Sequence, residues 1–392
     1  MFMKHYSSSS WWISLVPLTV CSPLWAQQAP PPDIAVPVTT TPLAPGKGLQ
    51  WKVGDTTIKI GGYVKLDLIH DFDAIGSTDS FDPRTIPTDG SDGSNTRMHA
   101  RQSRLNLDVT MPTSADPLRF FVEGDFFGSG NAFRLRHAYG ETAGVLAGQT
   151  WSSFMDEGAM PETLDFESPI GFPQIRQAQV RYTNKLDGGD SFAFSIEDPA
   201  SVVVAPDGVD GHPEEPIPDL TANYIWNNSL GHVQVSAFGG MASFNPDVGS
   251  TDTVPLWGVN LSTKLKTFGE DSAILQFTYG DGVGRYRGGT TAAPDANGDL
   301  EAVETVALLG SYQHYWSEKY RSTVLYSWAQ GDLPAGSPQT SPELLTYGCA
   351  NFIWQFSDHA WAGIEYLYGT NDTFDGNDGA ANRIQFSIKY SL

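Results

Sequence analysis

The last eleven residues of the chain alternate between apolar and polar side chains. In NRIQFSIKYSL the apolar positions are Ile384, Phe386, Ile388, Tyr390 and Leu392, and polar residues stand between them. Because successive side chains of a β-strand point to opposite faces, the alternation predicts a strand with one apolar face. That face needs either the core of a soluble sheet or the lipid around a membrane barrel, and this segment alone fits both.

Similar short segments recur from Ile58 onward, separated by clusters of Gly, Asn, Asp and Pro, which is the pattern of an all-β protein. The pattern predicts sixteen strands: 58–69, 99–110, 118–127, 132–140, 144–151, 174–183, 191–198, 219–226, 231–241, 255–266, 272–280, 302–314, 319–330, 344–356, 359–369 and 382–392. Strands of roughly 9 to 11 residues are long enough to cross a bilayer at a tilt.

The connectors between these strands alternate in length. Long, mostly acidic connectors such as 71–98, 152–173 and 281–301 follow every second strand, and short turns such as NNSLG and YWSEK lie between them. Only the second outer connector, GSGN at 128–131, is short. A membrane barrel places short turns in the periplasm and long loops outside, whereas a soluble sandwich has no reason for this rule. We therefore predict an all-β protein consisting of a single transmembrane antiparallel up-and-down β-barrel at 58–392.

Lipid offers the backbone no hydrogen-bond partner, so the predicted sheet must close on itself. The last strand is expected to pair with the first, near the segment IKIGGYVKLDLI. Leu105, Phe120 and Val259 belong to alternating apolar sets that would face lipid, and Tyr and Trp collect near strand ends as in the aromatic girdles of outer-membrane barrels.

The N-terminal region predicts export. Residues 1–26 carry Lys4, then an apolar run, then small and polar residues, which is the pattern of a signal peptide cleaved after Ala26. Residues 27–57 begin Pro- and Thr-rich and are expected to be an extended periplasmic tether without a fold of its own. A net charge of -22 argues against nucleic acid as a partner.

Arginine is concentrated between residues 97 and 181. In AFRLRHAYG, alternation places Phe133, Leu135, His137 and Tyr139 on one side and two arginines on the other, the lumen side. The same reasoning predicts a basic lumen wall formed by five arginines: Arg104, Arg119, Arg134, Arg136 and Arg181. Guanidinium groups in a narrow aqueous pore select anions. Alternatively, these arginines pair with neighbouring carboxylates and only stabilise a polar lumen.

The third outer connector combines apolar anchors with acids. Long loops with their own apolar side chains are usually functional, so this loop is expected to fold into the lumen and narrow the pore. Its carboxylates would then oppose the arginines from the constriction: Asp156, Glu157, Glu162, Asp165 and Glu167. The alternative is a plain surface loop.

The sequence contains no HExxH, GxSxG, Walker or GxGxxG motif. We therefore expect no enzyme activity, no cofactor and no metal site. The residues favour passive diffusion of small anions, with outer-membrane lipid and the permeating anions as the partners. The alternatives are a weakly selective or cation-tolerant porin and, in another class, a barrel hydrolase or adhesin that uses the long loops.

Four segments resemble the DcaP-like trimeric porins of Gram-negative outer membranes: GGYVKLDLIHDFD, RQSRLNLDV, GQTWSSFMDEGAMPETLDFESPIGFPQIRQAQVRYTN and NRIQFSIKYSL. The resemblance covers residues 58 to 392. It implies a sixteen-stranded barrel, a homotrimer, and uptake of small anions with dicarboxylates and aromatic acids favoured. Members often carry a periplasmic coiled coil before the barrel, but the Pro-rich residues 27–50 cannot form one.

Overall fold

The structure is a computed structural model that describes residues 38–40 and 48–392. The predicted signal peptide and the tether residues 27–37 and 41–47 lie outside the described residues. Where the tether is described, it has regular structure, because strand β1 (Val38–Thr40) pairs with strand β2 (Leu49–Val53). Strand β2 in turn forms a hairpin with strand β3 (Thr56–Asp71).

The remaining strands of the described residues follow in chain order: β4 (Asn95–His99), β5 (Arg104–Met111), β6 (Leu118–Asp125), β7 (Arg134–Thr142), β8 (Val145–Trp151), β9 (Arg176–Lys185), β10 (Ser191–Glu197), β11 (Gly211–Glu214), β12 (Asp219–Asn228), β13 (Gly231–Pro246), β14 (Asp252–Lys266), β15 (Ser272–Asp281), β16 (Ala292–Pro294), β17 (Leu300–Ala302), β18 (Glu304–Tyr315), β19 (Tyr320–Asp332), β20 (Pro342–Ser357), β21 (Ala360–Thr373) and β22 (Asp378–Ser391). Short 3-10 helices lie in the connectors: Pro83–Thr85, Ser129–Asn131, Glu157–Ala159, Asp187–Gly189 and Val283–Arg287. No helix in this part of the chain is long and apolar enough to cross a membrane.

Sixteen of these strands form one closed antiparallel barrel: β3, β5, β6, β7, β8, β9, β10, β12, β13, β14, β15, β18, β19, β20, β21 and β22. Closure is made by the first and last strands, where Arg383 stands opposite Asp71 and Ser391 opposite Tyr63. The predicted fold class and the predicted pairing of the chain's last strand with its first are therefore confirmed. Closure leaves the sheet without a free edge inside the bilayer.

The hairpin of β2 and β3 completes the seam of the barrel. Strand β22 covers only the second half of β3, so the edge of its first half would be unpaired. Strand β2 pairs with that edge from Thr56 to Ile60, and the Gly48 N–H donates to the Leu392 carbonyl at 2.8 Å. Residues assigned to a tether by their composition therefore belong to the barrel wall, because an exposed strand edge needs hydrogen-bond partners.

The two faces of the barrel have the polarity expected of a membrane protein. Outward side chains are apolar and exposed, as for Leu105 (54%), Phe120 (45%) and Val259 (39%). Inward side chains are polar and buried, as for Gln234 and Asn260. This inverts the arrangement of a soluble sandwich, and it requires lipid outside and a polar interior.

Two outer connectors are shorter than predicted. Strands β13 and β14 pair as far as Phe244 and Asp252, so most of the predicted loop 242–254 is a hairpin. Strands β21 and β22 likewise pair as far as Asp372 and Asp378, inside the predicted loop 370–381. Beyond the bilayer, a strand can continue wherever it hydrogen-bonds to its neighbour, and it does not need an apolar face there. A polar composition therefore does not show where such a strand ends.

Strand β7 contains an irregularity that changes which residues face the lumen. Its pairing with β6 shifts register so that Leu135 and His137 stand opposite consecutive residues of β6 and Arg136 has no partner in that ladder. Phe133 and Leu135 are exposed on the outer face, but His137 is buried. A bulge switches the side that alternate residues occupy, so the prediction that His137 shares a face with Leu135 is wrong.

Candidate functional site

The third outer loop, residues 152–175, folds into the barrel as predicted and is called L3 here. Three of its apolar side chains, Phe154, Leu164 and Phe172, are fully buried. Phe154 packs against Phe238 and Tyr286, with ring centroids at 5.2 and 4.6 Å. The apolar anchors noted in the sequence hold L3 inside the lumen.

The first part of L3 lies against the wall formed by β13 and β14. Ser236 donates to the Phe154 carbonyl at 2.7 Å, and the Gln234 amide donates to the Met155 carbonyl at 3.1 Å. Asp156 accepts a hydrogen bond from the Ser262 hydroxyl at 2.6 Å and lies 2.8 Å from His232 Nε2. Polar lumen residues of β13 and β14 therefore make hydrogen bonds to the L3 backbone and to one L3 carboxylate.

The middle of L3 crosses to the wall formed by β19 to β22. The buried Glu365 carboxylate accepts from the Leu164 and Asp165 N–H groups, both at 2.8 Å. Asn351 donates to the Glu162 carbonyl at 2.9 Å, and the Glu162 side chain binds the Arg321 guanidinium at 2.7 Å. The loop is thus anchored to two sides of the barrel.

Asp165 is enclosed between L3, the first outer loop and the wall. It accepts from the Phe81 N–H at 2.9 Å, and the Arg383 guanidinium lies 4.0 Å away. Burial raises the pKa of the Asp165 carboxyl above its usual range, and the Arg383 charge opposes this. The side chain therefore joins the two loops and does not project into the open lumen.

The end of L3 contacts the outer end of the barrel. Glu167 pairs with Arg287 at 2.5 Å, and Phe166 stacks on Phe127 with a centroid distance of 3.7 Å and an interplanar angle of 12°. Phe127 follows β6, so this stack joins L3 to the wall that carries the arginines. Arg134 lies over both rings, at 5.7 and 5.5 Å.

The arrangement of the loop acids differs from the predicted one. Asp156, Glu162, Asp165 and Glu167 were expected to oppose the five arginines, but their partners are His232, Arg321, Arg383 and Arg287. Glu157 alone among the five makes no ion pair with a described residue, and Arg181 is the cation that acts on it. The sequence does not show these partners, because the three arginines lie more than a hundred residues away from L3 along the chain.

A cavity of about 980 Å³ lies between L3 and the strands β5 to β9. It is lined by Arg104, Arg119, Arg134 and Arg136, four of the five predicted wall arginines. Aromatic rings face the same space: Phe121, Tyr139, Trp151 and Phe166. The sequence analysis did not assign these rings to the site, and for Tyr139 the bulge in β7 explains why.

Three of the four arginines are held by carboxylates of their own wall. Arg119 pairs with Asp108 at 3.1 Å, and Arg134 and Arg136 both bind Asp125 at 2.8 Å. These contacts fix the guanidinium groups and reduce their charge, as the alternative reading of the sequence expected. Arg104 is less closely matched, because its nearest carboxylate, Glu123, lies 3.6 Å away.

Arg181 does not share this cavity. It lines a separate space of about 310 Å³ beneath L3, together with Glu157, Asn227 and His232. The expectation of one continuous wall of five arginines is therefore corrected to four arginines in the main cavity and one nearer the short turns. The alternation pattern correctly predicts that Arg181 faces the lumen. It does not predict where Arg181 lies along the barrel axis relative to L3.

The main cavity contains two cations that were not assigned to it from the sequence, Arg176 and Arg287. Gln179 and Gln177 point inward, so strict alternation along β9 would place Arg176 on the lipid side. Arg176 nevertheless lines the cavity, because it is the first residue of β9 and lies beside L3. Arg287 comes from the outer loop between β15 and β18. No cluster of three or more metal-ligating side chains occurs among the described residues.

A closed sixteen-stranded barrel that is apolar outside, polar inside and narrowed by its third outer loop is the architecture of an outer-membrane porin. The family described as DcaP outer membrane protein matches residues 50–392. The chain belongs to this family, and it is an outer-membrane channel protein.

Solved structures agree with this assignment. The outer membrane channel DcaP of Acinetobacter baumannii is 26% identical, with a TM-score of 0.79, and the match covers 89% of this chain and 100% of that one. A trimer form of OmpT from Vibrio cholerae is 13% identical, with a TM-score of 0.56 and coverage of 86% and 99%. An anion-selective porin from Comamonas acidovorans is 13% identical, with a TM-score of 0.56 and coverage of 86% and 100%. The last two share the fold. No curated protein sequence matches this chain.

Proposed function

We propose that this protein is a passive outer-membrane channel that favours small anions. The observation that carries the proposal is the arginine-lined cavity between L3 and strands β5 to β9. Cations along a narrow path between low-dielectric walls raise the local concentration of anions by focusing the electric field. Transport of this kind depends on the potential along the pore, and it requires no catalytic residue, cofactor or metal.

Three of the five acids of L3 do not cancel this field in the proposed mechanism. Glu162 and Glu167 are neutralised by Arg321 and Arg287, and Asp156 is held by Ser262 and His232. Each of these carboxylates has its partner close by, so its effect across the lumen is weak. Arg104 and Arg176, by contrast, face the cavity without a carboxylate at hydrogen-bonding distance among the described residues.

The lining also supports a class of solute. Guanidinium groups bind carboxylates in a planar, bidentate manner, and several of them line one cavity together with aromatic rings. We propose small dicarboxylates and aromatic carboxylates as the favoured solutes. Arg119, Arg134 and Arg136 would act as rigid parts of the wall, and Arg181 with Glu157 would line the exit below L3.

The proposal predicts that the purified protein conducts chloride better than potassium. In a planar bilayer with a KCl gradient, the reversal potential should have the sign of an anion-selective pore, and added succinate should reduce the chloride current. A reversal potential near zero would favour the weakly selective porin, and a cation-selective sign would contradict the proposal. A folded protein that never conducts would favour the hydrolase or adhesin.

We also propose that the protein is a homotrimer whose contacts are made by the barrels. The described part of the predicted tether pairs with the barrel seam and does not leave it as a helix. The expected result is a trimer mass for the detergent-solubilised protein in multi-angle light scattering, unchanged when residues 27–37 are deleted from the mature chain. A monomer mass in mild detergent would contradict the proposal.

A further inference from the structure

The arginines of the main cavity are not equivalent, because their charges are balanced to different degrees. Arg119, Arg134 and Arg136 each bind a wall carboxylate at 3.1 Å or less, and Arg287 binds Glu167 at 2.5 Å. An arginine that already binds a carboxylate uses some of its N–H donors in that contact, and the carboxylate offsets its charge. A permeating anion must compete with that carboxylate before it gains a full interaction.

Arg104 departs from this pattern, because its nearest carboxylate, Glu123, lies 3.6 Å away, and Arg176 departs from it further. The Arg176 side chain makes no ion pair and no hydrogen bond with any described residue. Its guanidinium lies over the Trp151 ring, 4.3 Å from the centroid, and the two residues stand opposite each other in the pairing of β8 with β9. A guanidinium held over an indole ring by a cation–π contact uses none of its N–H donors in that contact, so they are free to bind another group.

The surroundings of Arg176 make the binding of an anion to it more favourable. It is half-buried, and the charged groups that act on it most are three other arginines, Arg136, Arg134 and Arg104. Asp125 is also near, but Arg134 and Arg136 already bind it. A cation that is partly removed from water and repelled by its neighbours gains more from a mobile anion than one that is paired.

We infer that Arg176, stacked on Trp151, is the residue that contacts permeating anions directly and determines the selectivity of the pore. The inference rests on the proposed function, and it assigns that function mainly to one side chain. The paired arginines hold the wall in shape and supply background potential. Trp151 is a positioning residue, because it acts by holding the guanidinium in the cavity.

The test compares Arg176→Gln with Arg134→Gln, which removes the same formal charge from the same cavity. Chloride-to-potassium permeability ratios are measured in planar bilayers under a KCl gradient. The ratio is expected to fall by about tenfold in Arg176→Gln and by less than about threefold in Arg134→Gln, since focusing effects in clefts start at about tenfold. Chloride conductance should also saturate with KCl concentration in the wild type and become linear in Arg176→Gln.

A variant that keeps the charge separates contact from potential and also serves if Arg176→Gln does not fold. Arg176→Lys is expected to keep the anion preference but to need several-fold more chloride for half-saturation, because an ammonium group lacks the planar stack. The inference would be overturned if Arg176→Lys reached half-saturation at the same chloride concentration as the wild type. It would also be overturned if Arg176→Gln and Arg134→Gln lost equal amounts of anion selectivity. A wild type without anion preference would instead overturn the proposed function itself.

Discussion

Glu365→Ala is expected to release the middle of L3 from the barrel wall and to increase single-channel conductance. The Glu365 carboxylate accepts from two L3 backbone N–H groups at 2.8 Å and from the Asn351 amide at 3.0 Å. Loss of the partner of a buried donor costs about 1–3 kcal/mol. Since each 1.4 kcal/mol changes an equilibrium about tenfold, the fraction of protein with a detached loop should rise strongly.

Conductance and current noise in planar bilayers measure this change, and limited proteolysis between residues 157 and 167 reports the release of the loop directly. The matched control is Glu301→Ala, because Glu301 is an exposed carboxylate of the outer loop between β15 and β18. Glu365→Gln keeps the size and one acceptor oxygen, so its effect should be intermediate. Unchanged conductance and protease resistance in Glu365→Ala would mean that the apolar anchors of L3 suffice.

Arg285→Ala is expected to destabilise the barrel by about 3–5 kcal/mol, because it leaves a buried carboxylate without its charge partner. The Arg285 guanidinium binds Asp219 at 2.6 Å, and both side chains are completely buried. Tyr286 also donates to Asp219 at 3.3 Å and packs on Phe154 of L3. The loss should therefore loosen the outer loop that covers L3 as well as the first residue of β12.

Thermal unfolding in detergent, followed by tryptophan fluorescence and by the mobility shift of the folded barrel in gels, measures the loss. Arg97→Ala is the control, because Arg97 pairs with Asp79 in an exposed position where an ion pair is worth about 0–1 kcal/mol. The double change Arg285→Met with Asp219→Asn should recover part of the stability, since it removes both buried charges. If the double variant were no more stable than Arg285→Ala, the packing of the arginine would matter more than its charge.

The constriction of this channel combines the apolar anchors of L3 with a set of polar contacts to the wall. Wall residues such as Ser236, Gln234 and Asn351 donate to loop carbonyls, while Glu365 accepts from loop N–H groups. L3 buries apolar anchors such as Phe154 and Phe172, but its backbone N–H and C=O groups inside the barrel also need hydrogen-bond partners, and the wall supplies them. Contacts on two sides leave the side of β5 to β9 open, and this is where the main cavity lies.

The sequence predicted the inward face of Arg134 correctly and that of His137 wrongly. Alternation is a local rule, and it holds until the register with the neighbouring strand shifts, as it does between β6 and β7. A single residue without a ladder partner leaves no mark in the hydrophobic pattern. The same limit applies to Arg176 at the start of β9, where the pleat ends and the side chain follows the loop.

The acids of L3 are evident in the sequence as a group, but their partners are not. Glu162 and Arg321 are separated by more than 150 residues, and only closure of the barrel brings them within 2.7 Å. Charge patterns along a chain show which side chains share a face, but not which ones meet across a lumen. The prediction that the L3 carboxylates oppose the five arginines was therefore wrong for Asp156, Glu162, Asp165 and Glu167, because their partners lie on other parts of the barrel.

By itself the sequence determined the sixteen strands, most of their inner and outer faces, the alternation of turns and loops, and the entry of the third loop into the barrel. These follow from short-range rules, because lipid requires an apolar outer face and a closed hydrogen-bonded sheet. The tertiary structure alone decided the partners of the loop acids, the use of β2 to complete the seam, and which cavity arginines have no carboxylate at hydrogen-bonding distance among the described residues. These depend on strand register and on contacts between residues far apart in the chain, for which one-dimensional periodicity carries no information.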